Sequence, residues 1–185
     1  MKVNKIGRIS KWSGYIQLVN YHGTQWVGSA AALYLLEGLP EFDEDSILTL
    51  FDIPEKDRDK YAVQKKDNEA ISDSVNLSDT DDSEKIVDKL KTGILYGGNT
   101  YLALKSDSGI IFINSVYLSP FNDKEDQYEL YERKGQGGTS CIAVKEGFMI
   151  KGLIMPYSLK GDQKAVELYD MWKQVKENTE EESGL

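Results

Sequence analysis

Residues 92–121 read TGILYGGNTYLALKSDSGIIFINSVYLSPF, and this stretch decides the fold class. Two turn signals, Gly97-Gly98-Asn99 and Asp107-Ser108-Gly109, cut it into short apolar runs at 94–96, 101–104 and 110–113. Glycine beside Asn or Asp supplies the positive φ that a tight hairpin needs. The runs between carry aromatic and branched residues that suit a pleated, half-buried surface. The spacing predicts an antiparallel meander, and no catalytic or cofactor motif lies on it.

Toward the N-terminus, runs 3–9, 15–21, 25–27 and 31–36 have the same strand character, punctuated by turns at Ser13-Gly14 and His22-Gly23. Gly38-Leu39-Pro40 interrupts the pattern, and Asp43 then caps a helix whose first turn holds Glu44 and Asp45, where the helix dipole favours negative charge. Phe42 and Ile47 have the spacing of a hydrophobic staple, and Pro54 stops the element. Toward the C-terminus, strands are expected at 127–132, 139–144 and 148–157, the last two joined by Lys145-Glu146-Gly147. Gly161-Asp162 opens a final helix in which Ala165, Leu168, Trp172 and Val175 recur at the spacing of one buried stripe.

The predicted class is α+β: an antiparallel twisted sheet or small sandwich with two packed helices, in a single domain over 1–185. Segment 65–89 has many Asp, Ser and Asn and few large apolar residues. It is expected to be a mobile acidic insertion, with a helical turn or two at most over 83–90, and the acidic tail 178–185 is expected to fray.

Composition narrows the function. The chain of 185 residues is 40% hydrophobic and 29% charged, as expected for a globular protein. Its 31 acidic residues exceed its 22 basic ones, a formal charge of -9 that disfavours general nucleic-acid binding. Cys141 is the single cysteine, so no disulfide can form within the chain. The basic opening lacks a following apolar run, and the run 30–36 is far shorter than the roughly 20 residues a spanning helix needs. A cytoplasmic protein without membrane contact is expected.

The chemistry-bearing residues are few. One histidine and one cysteine, far apart in the chain, cannot supply a zinc site, and no metal or cofactor is expected. Gly135-Gln136-Gly137-Gly138 lacks the Lys-Ser or Lys-Thr of a phosphate loop. Asp79-Thr80-Asp81-Asp82-Ser83 opens like a calcium loop, but Glu84 stands where that loop demands glycine. Glu37, Glu41 and Asp43 cluster around a glycine and a proline, and capping accounts for Asp43.

A binding protein is therefore expected rather than an enzyme. Asp79, Asp81, Asp82 and Glu84 are the candidate contacts to a protein partner with a basic surface, because complementary potentials speed encounter. Lys2, Lys5, Arg8 and Lys11 read as solubilising charges on an edge strand. The alternative makes them phosphate contacts of a DNA-associated accessory protein. Trp12 and Tyr117 are aromatic residues expected in the core, or as contact anchors if exposed.

The stretches Gln25-Trp26-Val27-Gly28, 32–45 (ALYLLEGLPEFDED), Phe51-Asp52-Ile53-Pro54, 110–120, 128–133 and 143–157 resemble a family of uncharacterised prophage and mobile-element proteins of Gram-positive bacteria. Leu35 follows Tyr34 where that pattern would place proline. The resemblance implies no reaction. In setting and acidic composition it is similar to anti-CRISPR inhibitors of Cas9, which implies a module that modulates nucleic-acid machinery by binding a Cas9-type nuclease. The close at Ile154-Met155-Pro156 is faintly similar to the last strand of sliding clamps, and the DNA-associated alternative draws its fold from that likeness.

Overall fold

Residues 3–9, read above as a strand, begin the helix Val3–Ser13 (α1). Val and Ile favour a pleated surface in isolation, but Ile6, Gly7, Ile9 and Ser10 recur at three and four residues, and all are buried. Gly7 lets the helix approach Phe51 closely: a Cβ there would stand 3.0 Å from Phe51 Cδ1. Gly14, at φ 66°, ends the helix with its N–H donating to Ser10 O. Tertiary packing against Phe51 has overridden local propensity.

The computed structural model describes residues 2–67, 76–107, 109–121, 128–135, 139–157 and 170. After α1 come Tyr15–Tyr21 (β1), Thr24–Gly28 (β2) and Ala32–Leu35 (β3), an antiparallel meander. His22 and Gly23 have φ 44° and 81°, the paired positive values of a type I′ hairpin turn. Asp43 caps Glu44–Leu50 (α2) as expected. It closes a capping box with Ser46, whose N–H donates to Asp43 Oδ1 at 2.8 Å while its hydroxyl accepts from the Asp43 N–H at 2.8 Å. The Ser46 hydroxyl also donates to Asp43 Oδ1, and that bond, with the one from the Ser46 N–H, holds the Asp43 carboxyl below its ordinary pKa.

A 3₁₀ turn at Glu55–Lys60 leads into Ala62–Lys66 (β4), which returns beside β1 in parallel. Every other paired strand among the described residues is antiparallel. Lys85–Ile86 (β5) follows, then the predicted meander as Asp88–Tyr96 (β6), Asn99–Ser106 (β7) and Gly109–Asn114 (β8). Its first turn carries Gly97 and Gly98 at φ 56° and 78°, as the spacing required. Glu129–Lys134 (β9), Ser140–Glu146 (β10) and Met149–Ile154 (β11) complete the described strands.

The large sheet runs β4-β1-β2-β3-β11-β10-β9-β5, and β6-β7-β8 form a small one. The class is α+β. One core lies between the sheets: Leu104 and Ile113 meet Ile16, Leu18, Tyr34, Ile142 and Ile154, and Ile6 and Ile47 bring in the two helices. The opposite face of the large sheet buries Val19, Trp26, Cys141, Ala143, Ile150 and Leu153.

That second core also takes in Leu77, only 3% exposed. Residues 76–89 therefore differ from the expected mobile insertion: they pack on the sheet and lead into β5 and β6 rather than a helical turn. Two apolar anchors, Leu77 and Val87 (the latter in the first core), and a set of buried hydrogen bonds replace the missing apolar surface. Residues 68–75, the expected C-terminal helix apart from residue 170, and the tail 178–185 lie outside the described residues. Among the described residues no helix is long and apolar enough to cross a membrane.

Candidate functional site

Arg133 and Lys145 project from β9 and β10 onto the second face of the sheet, 1% and 6% exposed. A buried cation needs a partner and full hydrogen bonding. Both find them in residues 76–84. Glu84 Oε1 accepts from Arg133 Nε at 3.1 Å and Nη2 at 2.9 Å, and Glu84 Oε2 accepts from Lys145 Nζ at 2.9 Å. Arg133 Nη1 donates to the carbonyls of Asn76 and Ser78, each at 2.8 Å, and Lys145 Nζ donates to Asp79 O at 2.9 Å. The Tyr131 ring stands 5.1 Å from the Lys145 ammonium. The planar guanidinium thus fastens a strap of backbone across the sheet, a task for which a lysine has the wrong geometry.

The four acidic candidates are brought together on this strap, and three of them serve the fold. Glu84 holds the two cations. Asp79 Oδ1 accepts from Ile150 N at 2.9 Å, satisfying a donor at the start of β11. Asp81 accepts from Asn76 Nδ2, Ser83 N and the Ser83 hydroxyl. Burial pushes its pKa up, but the Ser83 and Asn76 hydrogen bonds with the charge of Arg133 outweigh that and hold it below the ordinary value. Asp82 is exposed.

The strap forms one wall of a groove of about 650 Å³. Leu77, Ser78 and Asp79 face the β1–β2 turn and the segment after β3, with Trp26, Leu35, Leu36 and Ile150 among the apolar lining. Its lip exposes Leu39 (40%) and Met149 (44%), and Phe148 beside Met149 is 91% exposed. Glu37, Glu41 and Asp79 supply negative charge to the lining. Glu37 pairs with the buried Lys151 of β11, and Glu41 accepts from Asn20 Nδ2 at 3.1 Å with Lys65 Nζ 3.8 Å away. His22 lies at the groove's end, stacked edge-on against Tyr21 at 4.5 Å between ring centroids.

Sequence reasoning singled out Glu37 and Glu41 without a use for them, and missed Leu39, Phe148 and Met149. The Lys145-Glu146-Gly147 turn was legible, but the exposure of the residue after it depends on what packs beside the hairpin. Cys141, 2% exposed, is a core residue whose thiol is pushed by burial up to about 11, far from a nucleophile.

The four basic candidates lie on or just before α1. Lys5, Arg8 and Lys11 share its outward side with Trp12, while Lys2 is the residue before its first turn. Trp12 is 62% exposed, whereas Tyr117 is half-buried and its carbonyl accepts from Tyr34 Oη at 2.9 Å. Comparison of the chain with protein-family models, with curated proteins and with solved structures finds no match.

Proposed function

We propose that the protein is a non-enzymatic binding module whose groove receives a segment of a protein partner. That segment presents one apolar side chain flanked by Lys or Arg. The observation that carries this reading is the juxtaposition of Leu39 and Met149, exposed at the groove's lip, with the carboxylates of Glu37, Glu41 and Asp79. Clustered large apolar side chains on a surface mark contact sites, and charge on the rim selects the partner and speeds its arrival. Each groove carboxylate is engaged by a lysine, an amide or a backbone donor, which suits a fixed recognition surface. The narrower form, inhibition of a Cas9-type nuclease, rests on the resemblance given above.

The test is a random twelve-residue peptide library panned against the immobilised full chain. Selected peptides should carry an aromatic or aliphatic residue between basic ones and bind more weakly as salt rises. Leu39→Asp and Glu41→Lys should each abolish that binding. No enrichment, or enriched peptides indifferent to both substitutions, would overturn the proposal. Self-association of the free protein that Leu39→Asp abolishes would give the groove to a second copy instead. So would the reading fail if the pure protein hydrolysed a substrate and Glu41→Gln stopped it. For the narrower form, the purified chain should slow cleavage by a Cas9-type nuclease, and Leu39→Asp should not.

A further inference from the structure

We propose that the outward face of α1 binds single-stranded nucleic acid, so that the module contacts its partner's nucleic acid as well as the partner. The chain is acidic overall, yet α1 contains Lys5, Arg8 and Lys11 and no Asp or Glu. At 100° per residue, positions 5, 8, 11 and 12 fall within one side of the helix, opposite buried Ile6, Ile9 and Ser10. Lys11 Nζ donates to the Asp52 carbonyl at 3.4 Å, whereas Lys5 and Arg8 have no side-chain hydrogen bond or ion pair to a described residue. Unspent cations without interleaved acids are the electrostatic complement of a phosphate chain.

Trp12 decides between ligands. The indole is 62% exposed, on a helix whose core contacts are made from the other side by Ile6, Gly7, Ile9 and Ser10. Beside cations, a bare aromatic face stacks on an unpaired base, a contact closed to it in an intact duplex. An anionic membrane fits less well: insertion needs an apolar helix face, and that of α1 is spent on the core, with Ile6 and Ile9 at 0% and 2% exposure. α1 joins β1 at Tyr15, whereas the groove takes in Asn20 and Tyr21 at the strand's other end, so both surfaces can be engaged together.

The experiment is fluorescence anisotropy of a labelled twenty-residue oligothymidylate titrated with the full chain at low salt. Saturable binding is expected, with three phosphate contacts giving a log–log salt slope of about -2. Trp12→Ala should weaken it roughly 5- to 150-fold, the loss of one stacked base, and Trp12→Phe should recover most of that. The triple change of Lys5, Arg8 and Lys11 to Ala should remove binding and its salt dependence. Absence of binding, binding that none of these variants alters, or equal affinity for a blunt duplex would overturn the proposal. So would retention by phosphatidylserine vesicles in place of the oligonucleotide. Because the altered side chains all lie outside the core, circular dichroism and groove-peptide binding should be unchanged, which separates failure here from failure of the groove reading.

Discussion

The strap at 76–84 holds four acidic residues and α1 holds three basic ones, yet the two segments use charge in opposite ways. Glu84, Asp79 and Asp81 turn inward and satisfy Arg133, Lys145, Ile150 N and Ser83, so their charge maintains the fold. The cations of α1 turn outward, because its core contacts are made by Ile6, Gly7, Ile9 and Ser10. A charge run is thus neither a contact surface nor a solvated face by composition alone. What decides is whether the fold leaves it a buried partner of opposite sign.

Removing a carboxylate from the strap should hurt most. Glu84→Ala leaves Arg133 and Lys145 buried without their anion, and urea unfolding should show a loss of about 3–5 kcal/mol. Arg133→Lys keeps the charge but abandons the fork that reaches Glu84 and three carbonyls, and about 1–3 kcal/mol should be lost in the same measurement. A change below 0.5 kcal/mol for Glu84→Ala would break the comparison, since the strap would then not depend on its charges.

On the helix the same measurements should separate packing from charge. Gly7→Val forces a branched side chain against Phe51 and should cost about 1–3 kcal/mol. Arg8→Ala, an exposed change, and Lys5→Ala, at a half-buried side chain with no hydrogen bond or ion pair to a described residue, should each stay within about 0.5 kcal/mol of the parent. A large loss from either would mean that the outward cations serve the fold after all.

Acid sharpens the contrast within the strap. The Asp81 carboxyl has a folded-state pKa below its unfolded value, so its contribution is present above the unfolded value near about 4 and is lost as pH falls through the folded one. Urea midpoints measured downward from neutral pH should therefore fall less steeply for Asp81→Asn than for the parent. Asp82→Asn, altering the exposed member of the set, should leave the curve within about 0.5 kcal/mol at every pH.

These contrasts also mark how far the sequence could be read. The meander after residue 92, the hairpin turns, the capped helix at Asp43 and the α+β class were legible because each is written in neighbouring residues. Glycine at positive φ, a capping side chain and alternating apolar residues act within a few positions. The helix at 3–13 was not legible in this way. Its β-branched residues argue for a strand until Phe51, far along the chain, supplies a surface that a helix with Gly7 fits.

The strap shows the same limit from the other side. Its composition alone argues for disorder, and nothing near Glu84 in sequence announces Arg133 or Lys145, 49 and 61 residues away. The groove is likewise assembled from the β1–β2 turn, the segment after β3, the strap and the start of β11. The sequence by itself therefore determined the acidic balance, the scarcity of reactive side chains and the local elements. Only tertiary structure decided which charges are consumed inside and which remain for a partner. A charge acts across space with a strength set by its burial, and burial is a property of the whole fold.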